Sequence, residues 1–456
     1  MNFINHFNKF GEKIALIDEK ETVSYADLMT RCKAFSTQLP SKRSFIALGC
    51  MNTIETVVAY LSCLINNHAV LLYDEKMDAT LLSRLLQTYK PSVCYAEKKL
   101  QYLNDANQDG SCDSGLHQDL ALCLSTSGST GSPKLVKLTK KNIEANTQSI
   151  VTYLQLSPTD VAITSLPLHY SFGLSILNTH LAVGASIVLT EESIVTRAFW
   201  DIFNQHRVTT FAGVPSHYEM IHKLRILHTK PFHLKTLMQA GGRLSLPLVQ
   251  IFSNYALKYE INFFIMYGQT EACARMAYLP PHLVHDKPDA IGLPIPGGAF
   301  YLIDSEGQKI QAPEHIGELV YCGENVMMGY ATQRKDLEKP DELKGILHTG
   351  DLAKFDSDYI YYIKGRLKRF LKIHGNRFSL DELESHLQHY GECICGGVDN
   401  QLIVLLKEES LIDTIADILS KKYRLHHTNY RILYRSDFPT SASGKIQYHH
   451  LEALAL

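Results

Sequence analysis

The chain has 456 residues, 45% of them hydrophobic and 20% charged, with a formal net charge of -2. That length exceeds one ordinary core and predicts two or three packed units. The balance excludes long disordered regions, a basic field for a nucleic-acid partner and any like-charge tail.

The ten cysteines are scattered except for Cys393 and Cys395, which stand too close together for the usual zinc pair. Reduced, structural thiols are expected. The 21 histidines are dispersed and no HExxH occurs. The opening MNFINHFNKFGEK lacks the basic-then-apolar order of a secretory signal. The longest apolar stretch, 57–65, is broken by Ser62 and falls short of the roughly 20 residues a bilayer span needs. A cytoplasmic protein without membrane insertion is the expectation.

In chain order, KIALID (13–18) and SFIALG (44–49) read as strands, while 25–39 and 53–66 carry apolar residues at helical spacing. AVLLY (69–73) and SVCYA (92–96) are further strands, so the first hundred residues alternate strand and helix as in a parallel sheet covered by helices. Residues 107–118 read as a loop. The alternation resumes in VAITSLPL, ASIVLT, VTTFAGV, LKTLMQAGG and INFFIMYG, most of which end in small residues where a strand would face a site. Beyond about residue 290, GAFYLID, GELVYCGE and DYIYYIKGR alternate apolar and polar positions like antiparallel strands. From 369 to 456 the pattern is a helix (379–390), a strand (401–407), a second helix (410–423) and a strand (429–434), a small α+β unit. The expected organisation is an α/β N-terminal domain, 1–364, of helix-covered sheets plus a small β-rich part; a domain boundary at 365–368; and a small α+β C-terminal domain, 369–456.

The segment 124–134, LSTSGSTGSPK, places two glycines and six hydroxyls before a lysine. Such a loop can aim backbone N–H groups and hydroxyls at phosphate oxygens, and its glycines allow close approach. It is not a Walker loop, because GxxxxGK[ST] needs four residues between its glycine and the GK. A flexible linker is the plainer alternative, but the loop lies between two apolar segments, which favours phosphate binding.

That loop closely resembles the signature of the acyl-adenylate-forming superfamily: acyl- and aryl-CoA synthetases, luciferase-like enzymes and the adenylation domains of peptide synthetases. Other motifs of that family follow in order: AGGRL (240–244), MYGQTEA (266–272), GELVYCGENVMMGY (317–330), HTGDLA (348–353), GRLKRFLKIHGNRFSLDELE (365–384) and PTSASGKI (439–446). The resemblance covers essentially the whole chain.

It implies ATP-dependent activation of a carboxylic acid through an acyl-AMP, with pyrophosphate release and acyl transfer to a thiol. Two anions must meet at the α-phosphate, so charge neutralisation should dominate catalysis. By resemblance, Thr126, Ser127, Gly128, Ser129, Thr130, Gly131 and Lys134 hold the β- and γ-phosphates, and Gly241, Gly242 and Arg243 form the adenine-side turn. Tyr267 and Gly268 precede Thr270 and Glu271, the α-phosphate and magnesium pair. Asp351 binds the ribose with help from Arg366. Lys445 is the catalytic lysine bridging carboxylate and α-phosphate, residues 365–368 are a hinge with Lys368 as the hinge residue, the C-terminal domain beyond it is mobile, and Lys372 is the lysine presented for the transfer step.

The segment PLHYSFGLS (167–175) aligns with the family's acid-reading segment, with His169, Tyr170 and Phe172 as pocket residues. Gly213 and Val214 of GVPSHY supply another wall. Amino-acid-activating members usually carry an aspartate in this segment, and none is present, which favours a fatty, aryl or other acid without an α-amine. The acceptor is coenzyme A or a phosphopantetheine carrier such as an acyl-carrier protein. The sequence departs from the family in lacking DGW before HTGDL, in Leu380 for a common proline, in Gln447 and Tyr448 after SGKI, and in a C-terminal domain read as trimmed before QLIVLLK. Other readings are an acyl-carrier-protein ligase, an amino-acid-activating enzyme, and a nucleotide-binding scaffold without chemistry.

Overall fold

A computed structural model describes residues 1–103, 115–125, 134–226, 233–367, 369–373, 376–440 and 446–455. The chain divides into two compact units, Met1–Ala299 with Tyr321–Leu347 and Phe300–Val320 with His348–Leu456.

The first unit contains two helix-covered sheets. In the smaller, Val93–Ala96, Phe45–Cys50, Ala69–Asp74 and Leu120–Ser125 run parallel. All six residues of Phe45–Cys50 are buried, the continuous apolar run expected of a strand covered on both faces. Leu135–Thr139 and then Gly329–Ala331 extend this seven-stranded sheet antiparallel. The larger sheet has nine strands. Its parallel centre runs Ile14–Ile17, Ser186–Val188, Val161–Ile163, Thr210–Gly213, Thr236–Gln239 and Asn262–Tyr267.

Helices start where the sequence provides caps. Thr53 accepts from the Thr56 N–H at the head of Ile54–Ile65, and Thr139 with Asn142 forms a reciprocal capping box on Lys140–Leu154. The helix Ser171–Ala182 is buried over nearly its whole length.

The second unit holds most of a five-stranded sheet in which Ile346–Phe355 and Tyr361–Arg366 pair antiparallel. Beyond it, Cys393–Val398, Gln401–Leu406 and Tyr430–Tyr434 form a three-stranded sheet with the helices Leu380–Leu387, Ile412–Lys421 and His449–Ala455. Cys393–Val398 is a strand that the residue pattern did not single out. Its glycines hid it, and they admit the terminal helix: a Cβ on Gly396 would come within 2.6 Å of the Leu451 Cβ.

Among the described residues no helix is long and apolar enough to cross a membrane, no His/Cys/Asp/Glu cluster could hold a metal, and nine cysteines are free.

Candidate active site

The phosphate-loop candidates Thr126, Ser127, Gly128, Ser129, Thr130 and Gly131 lie outside the described residues, as do Lys368 and Lys445. The strands flanking the loop are described. Ser125 pairs with Leu135 and Leu124 with Val136, so the loop joins two neighbouring antiparallel strands of a buried sheet.

Lys134, at its far end, places its Nζ 3.1 Å from the centroid of the Tyr330 ring. Tyr330 lies on the next strand, opposite Val136, and its hydroxyl donates to Glu271 Oε1 at 2.8 Å. Burial, reinforced by the Glu271 charge, holds the phenol well above its ordinary pKa, so it remains a donor. A cation, an aromatic ring and a carboxylate thus form one chain across the end of the sheet. Tyr330 ends the GELVYCGENVMMGY stretch, where nothing in the residue pattern assigns it a role.

Glu271 sits in the 3-10 turn Thr270–Ala272, just after the strand Asn262–Tyr267, and its carbonyl accepts from the Met327 N–H at 2.9 Å. Thr270 Oγ1 lies 3.3 Å from Ser171 Oγ, which ties this turn to the first residue of the helix that continues PLHYSFGLS. Gly268 is required: a Cβ there would stand 1.7 Å from the Ala274 carbonyl oxygen. The chain folds back through left-handed Cys273 (φ 56) and Ala274 (φ 103). Such backbone is sparsely populated and tends to cluster at functional sites.

The turn after Thr236–Gln239 carries Gly241 at φ 86. A Cβ here would lie 2.7 Å from the Tyr170 hydroxyl and 2.9 Å from Val214 Cγ1, so Tyr170, Val214 and Gly241 lie close together. Gly242 packs under Pro215, its carbonyl accepts from Gln239 Nε2 at 2.8 Å, and Arg243 pairs with Asp289 at 2.5 Å. Gly213 is enclosed by Phe211, His217 and Tyr218.

Burial pushes the Tyr170 phenol up to about 12, against the charge of Arg275. It pushes the His169 imidazole down, against the carboxylates of Asp74 and Glu191, and His217 down to about 4. Both histidines are therefore neutral near pH 7, and Nδ1 of each is buried without a partner among the described residues. Phe172 is buried on the helix Ser171–Ala182, and the Arg275 guanidinium lies 4.3 Å over its ring. The residue pattern alone did not single out Arg275.

In the second unit, Asp351 and Arg366 face each other across paired strands, and Arg366 Nε stands 3.2 Å from the Asp351 carboxylate. Asp351 is buried in the strand Ile346–Phe355. Its N–H donates to Thr349 Oγ1 at 3.1 Å, while Gly350, at φ 70, donates to Glu318 Oε1. Lys372 is exposed on the strand Phe370–Ile373, and its backbone N–H donates to Asp399 Oδ1. On either side of 441–445, Thr440 bridges Ile446 and the Gln447 N–H donates to Pro439 O at 2.8 Å. Arg369 pairs with Asp381 and Glu384 and lies 3.5 Å over the Tyr448 ring, whose hydroxyl donates to Glu384 Oε1. Tyr448, noted in the sequence as a departure, thereby anchors the residues after 445.

A model of the AMP-binding enzyme family matches residues 3–331. The chain belongs to that family. It is 28% identical to the oxalate–CoA ligase of Saccharomyces cerevisiae over 72% of this chain and 62% of the relative. It is 27% identical to the 2-succinylbenzoate–CoA ligase of Bacillus subtilis over 82% and 79%. With the long-chain-fatty-acid–CoA ligase of Salmonella typhimurium it shares 29% identity over 72% of this chain but only 60% of the relative. The fold is that of solved o-succinylbenzoate CoA synthetase from Bacillus subtilis. The complex of that protein with its acyl-adenylate intermediate has a TM-score of 0.81 at 23% identity, covering 99% of this chain and 97% of that one. Its complex with ATP and magnesium has a TM-score of 0.80 at 23% identity and covers 99% of each chain.

Proposed function

We propose that the protein activates a carboxylic acid with ATP, forming an acyl-AMP and pyrophosphate, and then transfers the acyl group to the thiol of coenzyme A, releasing AMP. The observation that carries this reading is the chain Lys134–Tyr330–Glu271 at the exit of the phosphate loop, joined through Thr270 to Ser171 of the acid-reading segment. It offers a cation for phosphate oxygens and an acid carboxylate within one turn of the segment that would hold the organic acid.

The carboxylate of the substrate attacks the α-phosphate, and the bond to the β-phosphate oxygen breaks. Lys134 and the hydroxyls of Thr126, Ser127, Ser129 and Thr130 would hold the departing pyrophosphate. Glu271 suits a magnesium ion, because a carboxylate beside a hydroxyl is a hard oxygen set and Tyr330 occupies only one of its two oxygens among the described residues. The ion, when bound, would neutralise charge on the phosphate oxygens. Asp351 would accept from the ribose hydroxyls, beside the Arg366 guanidinium at 3.2 Å. Lys445 would bridge the two anions during adenylation. Residues 365–368 would act as the hinge, and Lys372 would serve after reorientation.

Coenzyme A is favoured over a carrier protein because the relatives named above are CoA ligases, and an amino acid is disfavoured because 167–175 lacks an aspartate. Free cysteines fit a cytoplasmic setting. The test is to incubate purified protein with ATP, magnesium, coenzyme A and a panel of acids. The expected products are AMP, pyrophosphate and an acyl-CoA seen by mass spectrometry. ADP and phosphate instead of AMP and pyrophosphate would overturn the reading.

A further inference from the structure

The stretch 325–330 touches the Glu271 turn at four points. Tyr330 holds the Glu271 side chain, and the Met327 N–H donates to the Glu271 carbonyl at 2.9 Å. The other two contacts come from one side chain. Asn325, only 3% exposed, donates from Nδ2 to the carbonyls of Ala272 at 2.8 Å and Arg275 at 2.9 Å. A primary amide has two N–H donors, so both of them are committed to this turn. Its Oδ1 accepts from the Tyr321 hydroxyl at 2.8 Å, which settles the end of the amide that faces each partner.

The two clamped carbonyls bracket Cys273 and Ala274, the non-glycine residues at φ 56 and φ 103. Such backbone persists only where its surroundings over-determine it. Asn325 supplies that restraint on both sides of the pair, and Asn146 Nδ2 adds a third bond, to the Arg275 carbonyl at 3.0 Å. Glycine at 298 and 323 leaves room for the arrangement. A Cβ on Gly298 would stand 2.4 Å from the Tyr321 hydroxyl, and one on Gly323 2.5 Å from Asn325 Oδ1.

The clamp also reaches the strand that leaves the phosphate loop. Thr139 ends that strand and forms the capping box with Asn142, whose Nδ2 donates to the Glu324 carbonyl at 2.7 Å. Glu324 and Asn325 are adjacent, so one peptide ties the element after the loop to the turn that carries Glu271. Tyr330 orients the carboxylate; Asn325 fixes the backbone from which it projects.

We propose that Asn325 is a positioning residue: by clamping the Ala272 and Arg275 carbonyls it holds the left-handed turn that presents the Glu271 carboxylate to magnesium and the phosphates of ATP. This rests on the adenylation reading and adds to it a residue that acts through the turn.

The test compares wild type with Asn325→Asp and Asn325→Ser, all well below their melting temperatures. The first keeps the shape but sets oxygens against two carbonyls, and the second keeps a single donor. One readout is ATP affinity by calorimetry, with and without magnesium. Magnesium should tighten ATP binding in the wild type and do so about tenfold less in Asn325→Asp, with Asn325→Ser between them and magnesium-free affinity within about threefold throughout. The other readout is amide hydrogen exchange by mass spectrometry. Peptides spanning 268–276 should exchange about tenfold faster in Asn325→Asp, with the rest of the chain unchanged. Where Asn325→Asp does not fold, Asn325→Ser carries both readouts. A purely structural role would lower Tm and leave the magnesium effect on ATP binding at its wild-type size, and that result would overturn the assignment. Unchanged amide exchange at 268–276, or wild-type ATP binding that ignores magnesium, would overturn it as well. Absence of acid-dependent ATP–pyrophosphate exchange in the wild type would sink the adenylation reading, and the two readouts would still decide Asn325.

Discussion

Tyr330→Phe removes one oxygen and separates the two contacts the ring makes. The hydroxyl donates to Glu271 at 2.8 Å, while the ring face lies 3.1 Å beneath Lys134 Nζ. Phenylalanine keeps the ring and loses the bond. A hydrogen bond to a charged group contributes roughly 1.5–3 kcal/mol. At about 1.4 kcal/mol per tenfold, the loss corresponds to about a 10- to 100-fold fall in kcat/KM if the bond orients Glu271 for the reaction. Tyr330→Leu also removes the cation–π contact, about 0.5–2 kcal/mol, and should fall further by roughly 2- to 30-fold. The assay is acid-dependent ATP–pyrophosphate exchange over a magnesium titration. Tyr330→Phe should need more magnesium for half-maximal rate, because its carboxylate is less well oriented, and should melt within a few degrees of wild type. Wild-type exchange at every magnesium concentration would refute the idea that Tyr330 positions Glu271.

Gly268→Ala would push a Cβ into the Ala274 carbonyl at 1.7 Å, so the turn must move. A loss of about 1–3 kcal/mol in urea unfolding and of most exchange activity is expected, and an unchanged midpoint would contradict the close approach of Ala274 to Gly268. His68, His180 and His217 are each pushed down to about 4 by burial. Because the folded state lowers these values below the unfolded 6.5, their contribution is present above pH 6.5 and disappears as pH falls towards 4. Urea unfolding between pH 7 and 4 should show this slope, and His180→Gln should flatten it. On the proposed role of Asp351 at the ribose, Asp351→Ala should raise the KM for ATP. An unchanged KM would remove Asp351 from the nucleotide site.

The motifs were legible in sequence because each binds a backbone feature to a residue type: a glycine where the Ala274 carbonyl approaches Gly268, a threonine and glutamate directly after a buried strand, an aspartate opposite an arginine. Strands such as Phe45–Cys50 and Asn262–Tyr267 announced themselves as continuous apolar runs. Their division between two sheets did not. Ile14–Ile17 pairs with Ser186–Val188, and Gly329–Ala331 with Leu135–Thr139, and pairings that distant leave no local periodicity. Arg275 was missed for a related reason. Within ACARMAYL a lone arginine reads as a surface residue, and only the fold shows it buried among Tyr153, Phe172 and Ser175, with no carboxylate partner among the described residues. Tyr330 was hidden because its partners Lys134 and Glu271 are far away in sequence.

The central claim is that this chain joins an acid to AMP with the lysine at 445 acting in that step. The most direct measurement is ATP–pyrophosphate exchange by wild type and Lys445→Ala, with nucleotide affinity measured alongside. The expected result is acid-dependent exchange in the wild type, exchange at background in Lys445→Ala, and ATP affinity within about threefold of wild type. Full exchange in Lys445→Ala would contradict the claim.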